Sequence, residues 1–186
     1  MPLPEFDQAT MGQRGPEYIA WASICLALGI HSYVELGSGS AHYIRQAGIM
    51  RVASVDLNNF DVPMGMHNAT RRDGVVYYQG NSHDPATLHR IKQLFSGPPD
   101  AVFIDADHDY APVREDFELW WPATTKVMGF HDIQIPSVAR LWMEISINIP
   151  SVKLIGCDRA SAASWQGESC PQDGVLSAGG IGVLIK

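Results

Sequence analysis

The stretch Ser32-Tyr-Val-Glu35-Leu-Gly37-Ser-Gly39-Ser-Ala41 constrains this chain more than any other. Tyr33, Val34 and Leu36 have strand character, and Gly37 and Gly39 supply a turn that larger side chains would block. No breaker follows Ala41 until Gly48, so a short helix is expected there. Its first N–H groups have no partner inside the helix and are open to a ligand. The next strand-like run, Arg51 to Val55, ends in Asp56, placed to accept hydrogen bonds from the two hydroxyls of a ribose. Strand, glycine turn, helix, strand, acid is an arrangement that binds a nucleoside. A dinucleotide fingerprint, Gly-x-Gly-x-x-Gly, needs a glycine where this chain has His42, which disfavours NAD. Glu35, just before the first glycine, suits a ligand that carries positive charge.

The 186 residues suit one domain, 1–186, with 1–14 as a loose arm. With 46% apolar and 18% charged residues, the chain is expected to be globular. A net charge of −7 argues against a general polyanion binder, so nucleic acid is not an expected partner. Met1 to Gly15 shows no apolar run behind a basic start. No apolar run approaches the roughly 20 residues of a membrane span. Cys25, Cys157 and Cys170 lack Cys-x-x-Cys spacing and read as free thiols, so the expectation is a cytoplasmic protein without a membrane partner.

Along the chain, Pro16 to Leu28 is apolar almost all round and predicts a helix packed on several sides, ended by Gly29. Strands are expected at 33–36, 51–55, 75–78, 101–104, 126–130, 152–155 and 181–185. Helices with one apolar face are expected at 85–95, between the fourth and fifth strands, and at 136–147. Two polar connections, 58–74 and 159–178, border the region where an acceptor would sit. The pattern predicts an α/β fold: a Rossmann-like, seven-stranded, mostly parallel sheet with helices on both faces and an antiparallel C-terminal hairpin. In such sheets ligands collect outside the carboxyl ends of the strands.

Those ends carry a second constellation, Asp105-Ala-Asp107-His108-Asp109-Tyr110 after the fourth strand and His131-Asp132 after the fifth. Carboxylates and imidazoles so concentrated are costly to bury unpaired, so they are either solvated or hold a metal. Oxygen donors suit Mg, Ca or Mn, and an imidazole shifts preference towards Mn, Fe or Zn.

The Glu-x-Gly-x-Gly turn, with an acid closing the next strand, resembles the first two motifs of class I S-adenosylmethionine-dependent methyltransferases. Phe103 to Tyr110, Val113 to Pro122 and Gly129 to Ile133 sharpen this. Together with Gly80-Asn81-Ser82 they resemble the small-molecule O-methyltransferase group that includes macrocin O-methyltransferase and the cephalosporin-hydroxylase-like proteins, over about residues 15–150. The resemblance implies S-adenosylmethionine held by Glu35, Gly37, Ser38, Gly39, Asp56, Leu57, Gly80, Asn81, Ser82 and Asp105. It implies a divalent metal, Mg or Mn, on Asp105, His131 and Asp132, with His108 as catalytic base. Relatives usually have an acid at the position of His131 and often one at that of Asn81.

The expected activity is a metal-assisted O-methyltransferase acting on a hydroxylated small molecule, with apolar surface near the first helix available for a homo-oligomer. The rival readings are a non-catalytic or metal-independent S-adenosylmethionine-binding protein and an NAD-dependent oxidoreductase.

Overall fold

A computed structural model describes residues 15–37, 39–57, 69–72, 74–154 and 179–186. The elements run α1 (Gly15–Ala27), β1 (Ser32–Leu36), α2 (Ala41–Gln46), β2 (Arg51–Asp56), β3 (Ala69–Arg72), β4 (Val75–Gln79) and α3 (Pro85–Phe95). They continue β5 (Ala101–Ile104), α4 (Tyr110–Trp120), β6 (Val127–Phe130), α5 (Pro136–Ser146), β7 (Ser151–Leu154) and β8 (Ile181–Ile185). The sheet order is β3-β4-β2-β1-β5-β6-β8-β7. Strands β4, β2, β1, β5 and β6 pair in parallel, while β8 is antiparallel to both β6 and β7. The expected mostly parallel sheet with an antiparallel C-terminal pair is therefore present. One edge strand is added: β3, antiparallel to β4, falls inside the connection expected as loop over 58–74. Residues 1–14, Ser38, most of the connection 58–74 and all of 159–178 lie outside the described residues.

Strand β1 is buried along its whole length, yet its side chains still alternate between the two faces. Val34 and Leu36 meet the side formed by α3, α4 and α5, in a core with Ile91, Trp120, Phe130 and Trp142. Tyr33 faces the other side, with Tyr18 and Trp21 from α1, Tyr43 and Ile44 from α2, and Phe103. Fully burying one such aromatic contributes about 1.5–3 kcal/mol, so both layers are needed to hold the sheet. Helix α1 packs by one face only: Tyr18, Trp21, Ala22 and Cys25 are buried, but Ile19 and Leu26 are each 39% exposed. Apolar residues all round it therefore overstated its packing. Gly29, at φ +60°, turns the chain out of α1, and Lys126 donates to the carbonyls of Leu28 and Gly29. None of the helices among the described residues is long and apolar enough to cross a membrane.

Candidate functional site

The order reverses between β2 and β5 on either side of β1, which opens a crevice at the carboxyl ends of these strands. Register decides what meets there. Leu36 pairs with Ile104, and Ile104 with Phe130, so the residues that follow, Gly37, Asp105 and His131, stand at one level. The ladder runs on past the strands: Gly37 N–H donates to Val55 at 2.7 Å, Asp105 N–H to Leu36 at 2.8 Å and His131 N–H to Ile104 at 3.0 Å. Gly37 has φ +96°, and a Cβ built on it would lie 2.2 Å from the Asp105 carbonyl oxygen. Only glycine fits that contact.

Glu35 is on the Tyr33 face of β1 and is fully buried. Its Oε1 accepts from the N–H groups of Gly39 at 2.8 Å and Ser40 at 2.7 Å, and its Oε2 accepts from the Ser40 hydroxyl at 3.0 Å. Glu35 thus holds the glycine turn closed from beneath. Burial pushes its carboxyl up to about 7, against the lowering by Ser40 and with the Asp105 charge adding to the rise.

Beside the turn lies a cleft lined by Gly37, Val55, Asp56, Leu57, Gly80, Asn81, Ser82, His83, Ala106 and Asp107. Six residues expected from the resemblance as cofactor contacts, Gly37, Asp56, Leu57, Gly80, Asn81 and Ser82, line this one space. Glu35 and Asp105 are not in its lining, and Gly39 is bound to Glu35. The loop that carries its far wall is tied down locally. Asp84 caps α3 through the Ala86 N–H at 2.8 Å, Asn81 accepts from the His83 N–H at 3.0 Å, and Trp120 of α4 donates to the Ser82 carbonyl at 2.9 Å. His83 and Asp107 belong to the cleft, although neither is among the cofactor contacts expected from the resemblance. The signal for His83 was its place directly after Gly80-Asn81-Ser82.

On the other side of Gly37 the titratable groups converge. One ligand atom each of Asp105, His131 and Asp132 lies within 4.8 Å of the others. His131 Nδ1 is 3.0 Å from Asp105 and 3.2 Å from Asp132, and His108 Nε2 is 2.7 Å from the same Asp132 oxygen. Burial works against charge on His131, but the carboxylates of Asp105 and Asp132 outweigh it and push the ring up to about 10. Burial likewise works to raise Asp132, yet His131 and His108 hold it below the ordinary carboxylate range. The His131 ring packs among Tyr18 and Phe103, with centroids 6.2 and 6.1 Å away. The carboxylates sit off the line of its N–H, so neither nitrogen makes a well-formed hydrogen bond among the described residues. A divalent cation that displaced the His131 proton would find one imidazole nitrogen and two carboxylates, a donor set that fits it. Asp132 has φ +54°, a costly backbone for a non-glycine residue, which turns the chain sharply at this point. The Ser137 hydroxyl of α5 donates to the His108 carbonyl and helps to fix the segment bearing His108.

A family described as a methyltransferase domain matches residues 34–133. No curated protein sequence matches the chain. The O-methyltransferase from Bacillus cereus, solved in complex with SAH, is 14% identical, with 99% of this chain and 84% of that one covered and a TM-score of 0.62. A Staphylococcus aureus protein described as a caffeoyl-CoA O-methyltransferase is 13% identical, with 99% and 86% covered and a TM-score of 0.55. The MycE methyltransferase of the mycinamycin biosynthetic pathway, solved with Mg and SAH, is 20% identical over 54% of this chain, with a TM-score of 0.42. This chain spans only 27% of the length of that protein. The two longer superpositions show a shared fold. The family match covers both motif regions on which the resemblance rested, and it bears out the expected class of S-adenosylmethionine-dependent methyltransferases. Since that match takes in more than half of its residues, the chain belongs to the methyltransferase-domain family.

Proposed function

We propose that this chain transfers a methyl group from S-adenosylmethionine to a hydroxyl of a small molecule, with a divalent metal held by Asp105, His131 and Asp132 and His108 as base. The observation that carries the reading is the contact across Gly37: the cleft and an oxygen–nitrogen donor cluster are separated by one backbone approach. The sulfonium cofactor would supply an activated methyl group, and a divalent ion a lowered pKa for the acceptor hydroxyl. Asp56, at the end of β2, accepts hydrogen bonds from the ribose hydroxyls, and Asn81 and Ser82 face the base. Glu35 acts from below, by holding the Gly39 and Ser40 N–H groups in the turn. Ser38 and Gly39 form the rest of that turn beside the cofactor.

His108 has its Nε2 on Asp132, which leaves Nδ1 to take the proton from the acceptor oxygen. His108 would hold the proton that the acceptor hydroxyl loses as it takes the methyl group. Holding the oxygen in line with the methyl group supplies much of the acceleration. The acceptor class is a sugar or phenolic ring with adjacent hydroxyls, which would chelate the ion and fix the pose. The second reading is metal-independent: His131 between two carboxylates, at 3.0 and 3.2 Å, already offsets part of their charge.

Calorimetric titration of metal-free protein with S-adenosylhomocysteine, alone and with Mg or Mn, tests the proposal against NAD as control. Binding of S-adenosylhomocysteine, and of metal by wild type but not by Asp105→Ala, is expected. Binding of NAD alone would overturn it, and chelator-resistant turnover would select the metal-independent reading.

A further inference from the structure

Helix α4 buries Val113, Asp116 and Trp120, a spacing at which an apolar residue belongs in the middle position. Asp116 stands there with 0% exposure, and neither of its oxygens makes a well-formed hydrogen bond among the described residues. A carboxylate in that position destabilises the fold unless a partner compensates it. Its partner is in the wall of the cleft: His83 Nε2 lies 3.6 Å from the Asp116 carboxylate, and His83 Nδ1 lies 3.3 Å from Glu115 on the same helix. Both ring nitrogens are turned to α4, so the carbon edge of the ring is left for the cleft that His83 lines. Burial pushes the Asp116 carboxyl up to about 6, against the lowering by the Ser82 hydroxyl and His83.

We infer that His83 is the wall of the cofactor cleft against which the adenine ring is seated, and that buried Asp116 is the positioning residue that holds His83 in that orientation. The inference rests on the cofactor reading above and adds to it a residue pair outside the glycine, ribose and metal motifs. With its nitrogens directed at the carboxylates of α4, His83 offers the base a carbon edge and no competing donor. The polar edge of the base is then left to Asn81 and Ser82, on the loop that Trp120 ties to α4. A His83 ring freed from Asp116 could rotate an N–H into the cleft, which would both narrow the seat and desolvate a donor without a partner.

The test is calorimetric titration of S-adenosylhomocysteine into the full chain and its variants, with the melting temperature recorded for each. His83→Ala is expected to weaken binding about tenfold, the scale of one lost aromatic contact. His83→Phe restores the seat and is expected within about threefold of wild type. Asp116→Leu suits the buried face of α4 and is expected to keep or raise the melting temperature while weakening binding at least about threefold. Asp116→Asn, which keeps a polar oxygen towards the ring, is expected to bind more tightly than Asp116→Leu. A purely structural Asp116 would move the melting temperature and leave the affinity alone. Wild-type affinity in His83→Ala or in Asp116→Leu overturns the inference and spares the cofactor reading. No binding by wild type overturns both.

Discussion

Replacing Glu35 with glutamine separates the charge of this residue from its hydrogen bonds. The amide oxygen can still accept from Gly39 and Ser40, where the carboxylate does so at 2.8 and 2.7 Å. What disappears is the ionisation. The Glu35 carboxyl is raised from 4.5 to about 7 in the fold, chiefly by burial. Its contribution to stability is therefore complete below the unfolded value and is lost as pH rises through the folded one. Each pH unit between those values is worth about 1.4 kcal/mol, and the titration curves place about 2.5 kcal/mol of the loss between pH 5 and pH 8. Asp116 and His131, also raised, act in the same direction and remain in the variant, so the difference between the two proteins isolates Glu35. Urea unfolding of wild type and Glu35→Gln at pH 5 and pH 8 provides the assay. The wild type should lose about 2.5 kcal/mol more than the variant across that interval, and the variant should be the more stable protein at pH 8. Parallel pH dependences in the two proteins would refute the argument that this carboxylate is ionised against its burial.

Gly37→Ala places a Cβ 2.2 Å from a backbone oxygen at φ +96°, and it should cost at least about 2 kcal/mol and abolish S-adenosylhomocysteine binding, read by urea unfolding and calorimetry. Phe103→Ala should cost about 3–5 kcal/mol in the same unfolding assay, because the fully buried ring packs on Tyr18, Trp21 and His131. His108→Ala should lower kcat by about 10²–10⁴ with S-adenosylhomocysteine affinity unchanged, once an acceptor is in hand. Equal losses of kcat and of cofactor affinity would move His108 from base to binding residue.

Much of the site could be read along the chain because its parts are local patterns. Two glycines at a strand end specify a turn, and an acid at the end of the next strand suits a ribose contact. Asp105 and His131-Asp132 stand directly after strands of one parallel sheet, so the sheet's topology alone brings them to a common edge. The family resemblance rested on these segments, and the structure unites them. The side on which Glu35 points was a different matter. With all five positions of β1 buried, the usual contrast between an apolar and a polar face is missing, and only the packing of α1 and α2 shows that the carboxylate lies under the turn.

Strand β3 escaped notice because an edge strand needs only a partner, and β4 supplies one that no local preference of residues 69–72 announces. Nothing within one turn of Asp116 reveals that α4 rotates it onto the loop carrying His83. Residue type and near-neighbour spacing set the elements, the glycine turns and the inventory of acids and imidazoles. Tertiary structure decided which of those groups are ionised, buried or within reach of one another. Solvation and Coulomb energies depend on what surrounds a group in space, and strand register and helix packing bring those surroundings together from residues far apart in the chain.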